Sequence, residues 1–176
     1  MADEGDILTD LDLDPAAGAN GADNQPAAGI IAQYIKDMSV EVPNAPESFQ
    51  WKDTPQVDVQ FNIAARQVDG EVHEVELKIN ATAHAEKGKA FIVELSYCGL
   101  LGMRNLPEEQ AHAFLYAEAP RLLFPFARRI LADASRDAGQ LPLNIDPIDF
   151  NGLYHQRLQA KQQEEAAAGG APAGQA

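Results

Sequence analysis

Cysteine is nearly absent from this chain. Cys98 stands alone in 176 residues, so no disulfide can form within the chain and nothing asks for an oxidising compartment. Cations are scarce too: 13 Lys and Arg face 27 Asp and Glu, a formal charge of −14. Displacing counterions from phosphates takes clustered Lys and Arg, so nucleic acid is excluded as a partner, and basic or apolar partners are favoured. No apolar run approaches the ~20 residues of a membrane helix, which argues against direct membrane insertion. The first residues carry acids and no base, the opposite of a signal peptide. A cytoplasmic, soluble protein is expected.

Catalytic patterns are missing as well. His73, His84, His112 and His155 lack the i, i+4 spacing of a zinc hydrolase, and Cys98 has neither a second ligand nor a nearby base. Gly99-Leu100-Leu101-Gly102 lacks the Lys-Ser/Thr that completes a phosphate-cradling loop. No enzyme activity, cofactor or metal is expected.

Residues 1–29 hold seven acids and no Lys or Arg among Ala, Gly, Asn and Pro, too little apolar surface to offset ordering, and are expected to be a disordered extension. Ile7, Leu8, Leu11 and Leu13 break this polarity. Residues 159–176, rich in Gln, Ala and Gly, are expected to start as a fraying helix end and become a flexible tail, leaving one domain over 30–158.

The first half of that domain alternates with period two. Val57, Val59, Phe61 and Ile63 share one side of a strand, Val75, Leu77, Ile79 and Ala81 another, and Phe91, Val93, Leu95 and Tyr97 a third. A further segment, 35–42, opposes Met38, Val40 and Val42 to Asp37, Ser39 and Glu41. Val68-Asp69-Gly70 and Glu86-Lys87-Gly88-Lys89 supply turns, and together these signals predict a four-stranded antiparallel meander. After Gly99 the pattern turns helical. Pro107 with Glu108 and Glu109 opens a helix to about Ala119; Pro120 and Pro125 predict a break or restart; a second helix runs toward Gly139; and Asp149 caps a last one from Phe150. Strands followed by helices define an α+β class with helices on one sheet face.

On the other face fall Asp37, Glu41, Asp58, Glu74, Glu76 and Glu94 against Lys78, with Ile92 among the carboxylates. A solvated open sheet explains the acids; it does not explain Ile92. Phe114, Leu115, Leu122, Leu123, Phe124, Phe126, Ile130 and Leu131 are more apolar surface than one small sheet covers, so oligomerisation is expected. Phe49 and Trp51 are either pinned to the core or walls of an apolar groove with Phe150, Leu153 and Tyr154 that accepts extended peptide without sequence preference. A small-ligand carrier or a plain oligomeric adaptor remains as an alternative.

Three blocks, Val42-Pro43-Asn44-Ala45-Pro46, Leu122-Leu123-Phe124-Pro125-Phe126-Ala127-Arg128 and Leu143-Asn144-Ile145-Asp146-Pro147-Ile148-Asp149-Phe150 with Leu153, occur in one order. Over about 32–158 the chain thereby resembles the protein-export chaperone family SecB. The resemblance implies a dimer of dimers, a homotetramer that holds unfolded precursor proteins without ATP and delivers them to the translocation ATPase SecA. It implies that Asp37, Glu41, Ile92 and Glu94 receive the zinc-binding C-terminal tail of SecA, and that Val57, Val59 and Phe61, with Phe49, Trp51, Phe150 and Leu153 as walls, form the client groove. The long acidic extension departs from the family's usual short start.

Overall fold

The structure, a computed structural model, describes residues 24–169. Four long strands, β1 (Ala27–Glu41), β2 (Gln56–Asp69), β3 (Val72–Ala85) and β4 (Gly88–Arg104), make one antiparallel sheet. Gly70 (φ 46) and Gly88 (φ 147) sit in the two tight turns, where an L side chain would be strained. β2, β3 and β4 form the expected meander, but β1 does not join it beside β2: the order is β1-β4-β3-β2. The segment 42–55, with its short 3-10 turn Glu47–Gln50, is too long for a hairpin and carries the chain across to the opposite edge. β1 and β2 are therefore both edge strands.

β1 also changes phase twice. Bulges between Ile30 and Ala32 and between Ile35 and Asp37 each insert one residue opposite a regular β4, so the face presented reverses at each. Beyond the second bulge Met38 and Val40 lie across from Leu95 and Val93, while Ser39 and Glu41 lie across from Glu94 and Ile92. β1 begins at Ala27, inside the segment expected to be extension; residues 1–23 and 170–176, with most of both tails, lie outside the described residues.

The helices cover one sheet face. α1 (Glu108–Ala113), a π-helical turn (Phe114–Glu118) and α2 (Ala119–Asp137) follow one another without a loop, so the prolines do not break the path. Pro120 enters within the first two residues of α2, just after the wide π turn, where its missing N–H and its ring are accommodated; Pro125, inside α2, faces solvent. One stripe of α2, Leu123, Phe124, Ala127, Leu131 and Ala134, recurs at helical spacing and is buried on β3 and β4 against Val75, Leu77, Leu95 and Leu101. Gly99 lets Leu123 approach: a Cβ there would meet Leu123 Cδ2 at 3.0 Å. α3 (Phe150–Gly169) starts where Asp149 Oδ1 accepts a hydrogen bond from the Gly152 N–H at 3.0 Å, the expected cap, and continues eleven residues past the expected domain end at 158.

Leu123→Ala removes the side chain that seats α2 on the sheet. A loss of about 2–5 kcal/mol is expected from urea unfolding, with the unfolding slope unchanged.

Candidate functional site

Along the β2 edge the helix side of the sheet is incompletely covered. Val57, Val59, Phe61 and Ile63 all point to that side, across from Ala83, Ala81, Ile79 and Leu77 of β3. Two cavities succeed one another along them. The first, about 380 Å³, lies between Val57, Val59 and the segment 140–146; the second, about 740 Å³, lies between Phe61, Ile63, α1 and α3. Together they form a trough of predominantly apolar lining beside an edge strand.

Each wall has a local cause. Ser135 Oγ, fully buried on α2, accepts the Leu143 N–H at 2.8 Å and donates to the Ala132 carbonyl at 3.1 Å, which ties 140–146 to the helix. Leu143 and Ile145 then turn inward and Leu141 is left 82% exposed at the trough's lip. At the other end Phe150 meets Phe61 edge-on at 5.9 Å and Phe124 at 5.6 Å between ring centroids. His112 of α1 and Tyr154 of α3 share a 2.9 Å hydrogen bond that fixes the distance between the two helices.

Of the expected groove residues, Val57, Val59, Phe61, Phe150 and Leu153 line these two cavities. Phe150 is floor more than wall, being 2% exposed. Phe49 is exposed and lies against Gly139, where a Cβ would come within 3.0 Å of its ring, next in sequence to the lip residues Gln140 and Leu141. Trp51 lines neither cavity: its ring packs on the core beside Gly88 at the β3–β4 turn (3.6 Å from a Cβ built there), so it is a structural residue. Leu141, Tyr116 and Leu158 belong to the trough without having been expected there. For Leu141 a signal existed, an apolar residue beside Pro142 in a non-helical stretch; for Tyr116 and Leu158 the helix phase was hidden by the π turn and by a nearly featureless α3.

The opposite sheet face gathers the second set. Glu41 lies across from Ile92, Ser39 from Glu94 and Asp37 from Ser96, so Asp37, Glu41, Ile92 and Glu94 occupy three consecutive rows of β1 and β4. Lys78 sits in the row of Asp37, beyond Ser96. None of the three carboxylates has an ion-pair partner among the described residues.

Glu74 does not belong to this acidic patch. At 4% exposure it is the hub of a cluster linking three strands: Tyr34 donates its hydroxyl proton to Oε1, Lys36 Nζ reaches Oε2 at 3.0 Å and Arg66 Nε at 2.5 Å. The Tyr34 hydrogen bond, with those from Arg66 and Lys36, outweighs burial and holds the carboxyl at about 2, well below its ordinary 4.5. Burial first, then the Glu74 contact, pushes the Tyr34 phenol to about 12. Neighbouring Cys98 is fully buried and its thiol is driven to about 11, chiefly by burial, which leaves it a poor nucleophile at neutral pH. The far face is thus split into an open acidic end and a neutralised end.

A sheet with an open apolar trough at one edge and unpaired carboxylates on its far side has the build of a polypeptide-binding scaffold. The chain belongs to the SecB family: residues 21–161 match the family model for preprotein translocase subunit SecB. It is 66% identical to the protein-export protein SecB of Erythrobacter litoralis and 60% identical to that of Novosphingobium aromaticivorans, each over the whole of both chains. Its function is that of a SecB chaperone in preprotein export. The fold is shared with a Mycobacterium tuberculosis SecB-like chaperone solved in complex with a ChAD peptide from the HigA1 antitoxin, at a TM-score of 0.56 and 15% identity over 69% of this chain and 87% of that one. No described helix is long and apolar enough to cross a membrane.

Because the folded-state value of Glu74 is depressed, its contribution to stability is present above about pH 4.5 and is lost as pH falls toward 2. Glu74→Gln is expected to cost about 1–3 kcal/mol at neutral pH and to flatten the decline of stability in that acid window, as read by urea unfolding at several pH values. An unchanged acid limb would remove the hub.

Proposed function

We propose that this protein holds unfolded precursor proteins in the trough beside β2, as a homotetramer and without ATP or other cofactor, and delivers them to SecA through the acidic end of the opposite sheet face. One observation carries the reading: an open apolar trough (Val57, Val59, Phe61, Leu153) and an unpaired carboxylate patch (Asp37, Glu41, Glu94 around Ile92) lie on opposite sides of a single sheet. Client and delivery partner then bind at once without competing.

Apolar contact with an extended chain is weak at any one trough. Several troughs on one assembly convert successive contacts along the client into intramolecular events, and avidity supplies the affinity. Selection is kinetic: a slow-folding precursor stays open long enough to be caught. The cavities offer apolar walls rather than a converging set of polar groups, which suits many sequences and suits a small ligand poorly. On the far side the carboxylates steer a basic tail and Ile92 gives it an apolar seat.

A dimer of dimers needs two different self-complementary surfaces. Two are present. Leu122, Phe126 and Ile130 recur at i, i+4 and i+8 on the side of α2 turned away from the sheet, with Phe126 44% exposed. The β1 edge presents Ile31, Tyr34 and Ile35, all exposed, beside backbone groups that pair with no strand among the described residues. A cytoplasmic location follows from the proposed step before translocation.

In light scattering, the protein is expected to suppress aggregation of a refolding precursor. Val57→Asp with Leu141→Asp, both at exposed positions, weaken client binding about tenfold and leave the SecA tail unaffected; Asp37→Asn, Glu41→Gln and Glu94→Gln do the reverse at low salt. Equal loss of both partners in either variant contradicts two separate surfaces. Native mass measurement is expected to find four copies, and Phe126→Glu to reduce them to two; a monomer in the parent chain would end the assembly argument.

A further inference from the structure

The larger cavity has a two-sided rim. Its floor is Phe61, Phe150 and Leu153; α3 contributes the cations Arg157 and Lys161 on one side and α1 the acids Glu108 and Glu109 on the other. An occupant that suits it is apolar along one edge and negatively charged along the other, with its charged edge turned to α3.

The chain carries such a segment. Asp10-Leu11-Asp12-Leu13-Asp14 alternates without exception, so an extended backbone puts both leucines on one side and all three aspartates on the other. This stretch lies outside residues 21–161, the part matched to the SecB family. Reach permits the encounter. β1 starts at the end of the sheet where its Ala27 pairs with Arg104, and Ile63 and Phe61 of the cavity lie seven and nine residue steps along and three strands across, roughly 27 to 33 Å away. Residues 15–24 span up to roughly 35 Å when extended, enough to bring residues 10–14 to α3 of the same protomer.

We propose that residues 10–14 of the same chain dock in the cavity between β2 and α3, with Leu11 and Leu13 on Phe61, Phe150 and Leu153 and the aspartates toward Arg157 and Lys161. The acidic extension is then a built-in competitor for the client. The inference rests on the trough being the client site. Two leucines make a weak ligand, but tethering holds it at an effective concentration on the order of millimolar, so the cavity is partly filled when empty of client and yields to a long polypeptide that engages several troughs. Loose apolar peptides gain little from an occupied site, which raises the threshold for non-clients.

The test is Leu11→Ser with Leu13→Ser in the full chain, a change that leaves net charge untouched. A fluorescent, reduced and alkylated unfolded polypeptide is titrated by anisotropy, and amide exchange is followed over residues 150–161. Expected are a Kd lower by about two- to fivefold and faster exchange in that part of α3. An unchanged Kd overturns the competition whatever the exchange does, and a lower Kd with unchanged exchange overturns the docking site. Leu153→Asp separates this inference from the reading beneath it. If Leu153→Asp loses client binding while the double serine variant is inert, the trough stands and the docked extension falls; if Leu153→Asp binds client normally, the trough itself is refuted.

Discussion

Successive side chains of a β-strand point to opposite faces, and everything in this protein depends on that two-sidedness. β2, β3 and β4 keep their alternation through the central rows, with shifts only near the turns at Gln67/Asp69 and Ala83/His84, so one face collects Val59, Phe61, Ile79, Leu95 and their neighbours while the other collects Asp58, Lys78 and Glu94. A single-residue slip would exchange the two sets and merge trough and patch into one mixed surface. β1 is the exception that keeps the rule: its bulges after Ile30 and Ile35 reverse the phase twice and deliver Asp37 and Glu41 to the same side as Ile92 and Glu94. The sheet is the partition, and the proposed function places one partner on each side of it.

The Glu74 cluster shows how the far face is made usable. A carboxylate at 4% exposure is costly unless satisfied, and here one phenol and two cations from β1 and β2 converge on it. That arrangement holds Lys36 and Arg66 at the neutralised end, so they do not offset Asp37, one residue from Lys36 in sequence. On the helix side Ser135 has a matching role. Its hydroxyl pins 140–146 to α2, and this contact leaves Leu141 at the lip instead of in the core. Both are small polar contacts that decide where apolar or charged surface is displayed.

Much of this was legible before any coordinates. Alternation from Val57 to Ile63 marks a strand because each inward residue meets an apolar partner on β3, and Asp149 marks a helix start because its carboxylate has an orphan N–H to accept from. What stayed hidden was non-local. Nothing in residues 42–55 says which sheet edge they lead to, since both arrangements bury the same inward side chains. The π turn at Phe114–Glu118 replaces the break that Pro120 and Pro125 suggested, a matter of hydrogen-bond spacing that residue types do not encode. Glu74 reads like any other surface acid until Tyr34, forty positions away, is placed over it. Trp51 was legible only as an alternative, core or groove wall, and its ring packs on the core beside the β3–β4 turn. The SecB resemblance supplied expected roles for residues whose faces alternation had already assigned, and the proposed assembly would cover the outward stripe of α2.

The most direct measurement is a titration of the SecA C-terminal tail into this protein already saturated with an unfolded client. Two surfaces on opposite sides of one sheet give the same tail affinity, within about twofold, with and without client, and a ternary complex by native mass. Displacement of client by the tail, or a tail affinity that collapses when the troughs are full, would mean that both partners share one surface.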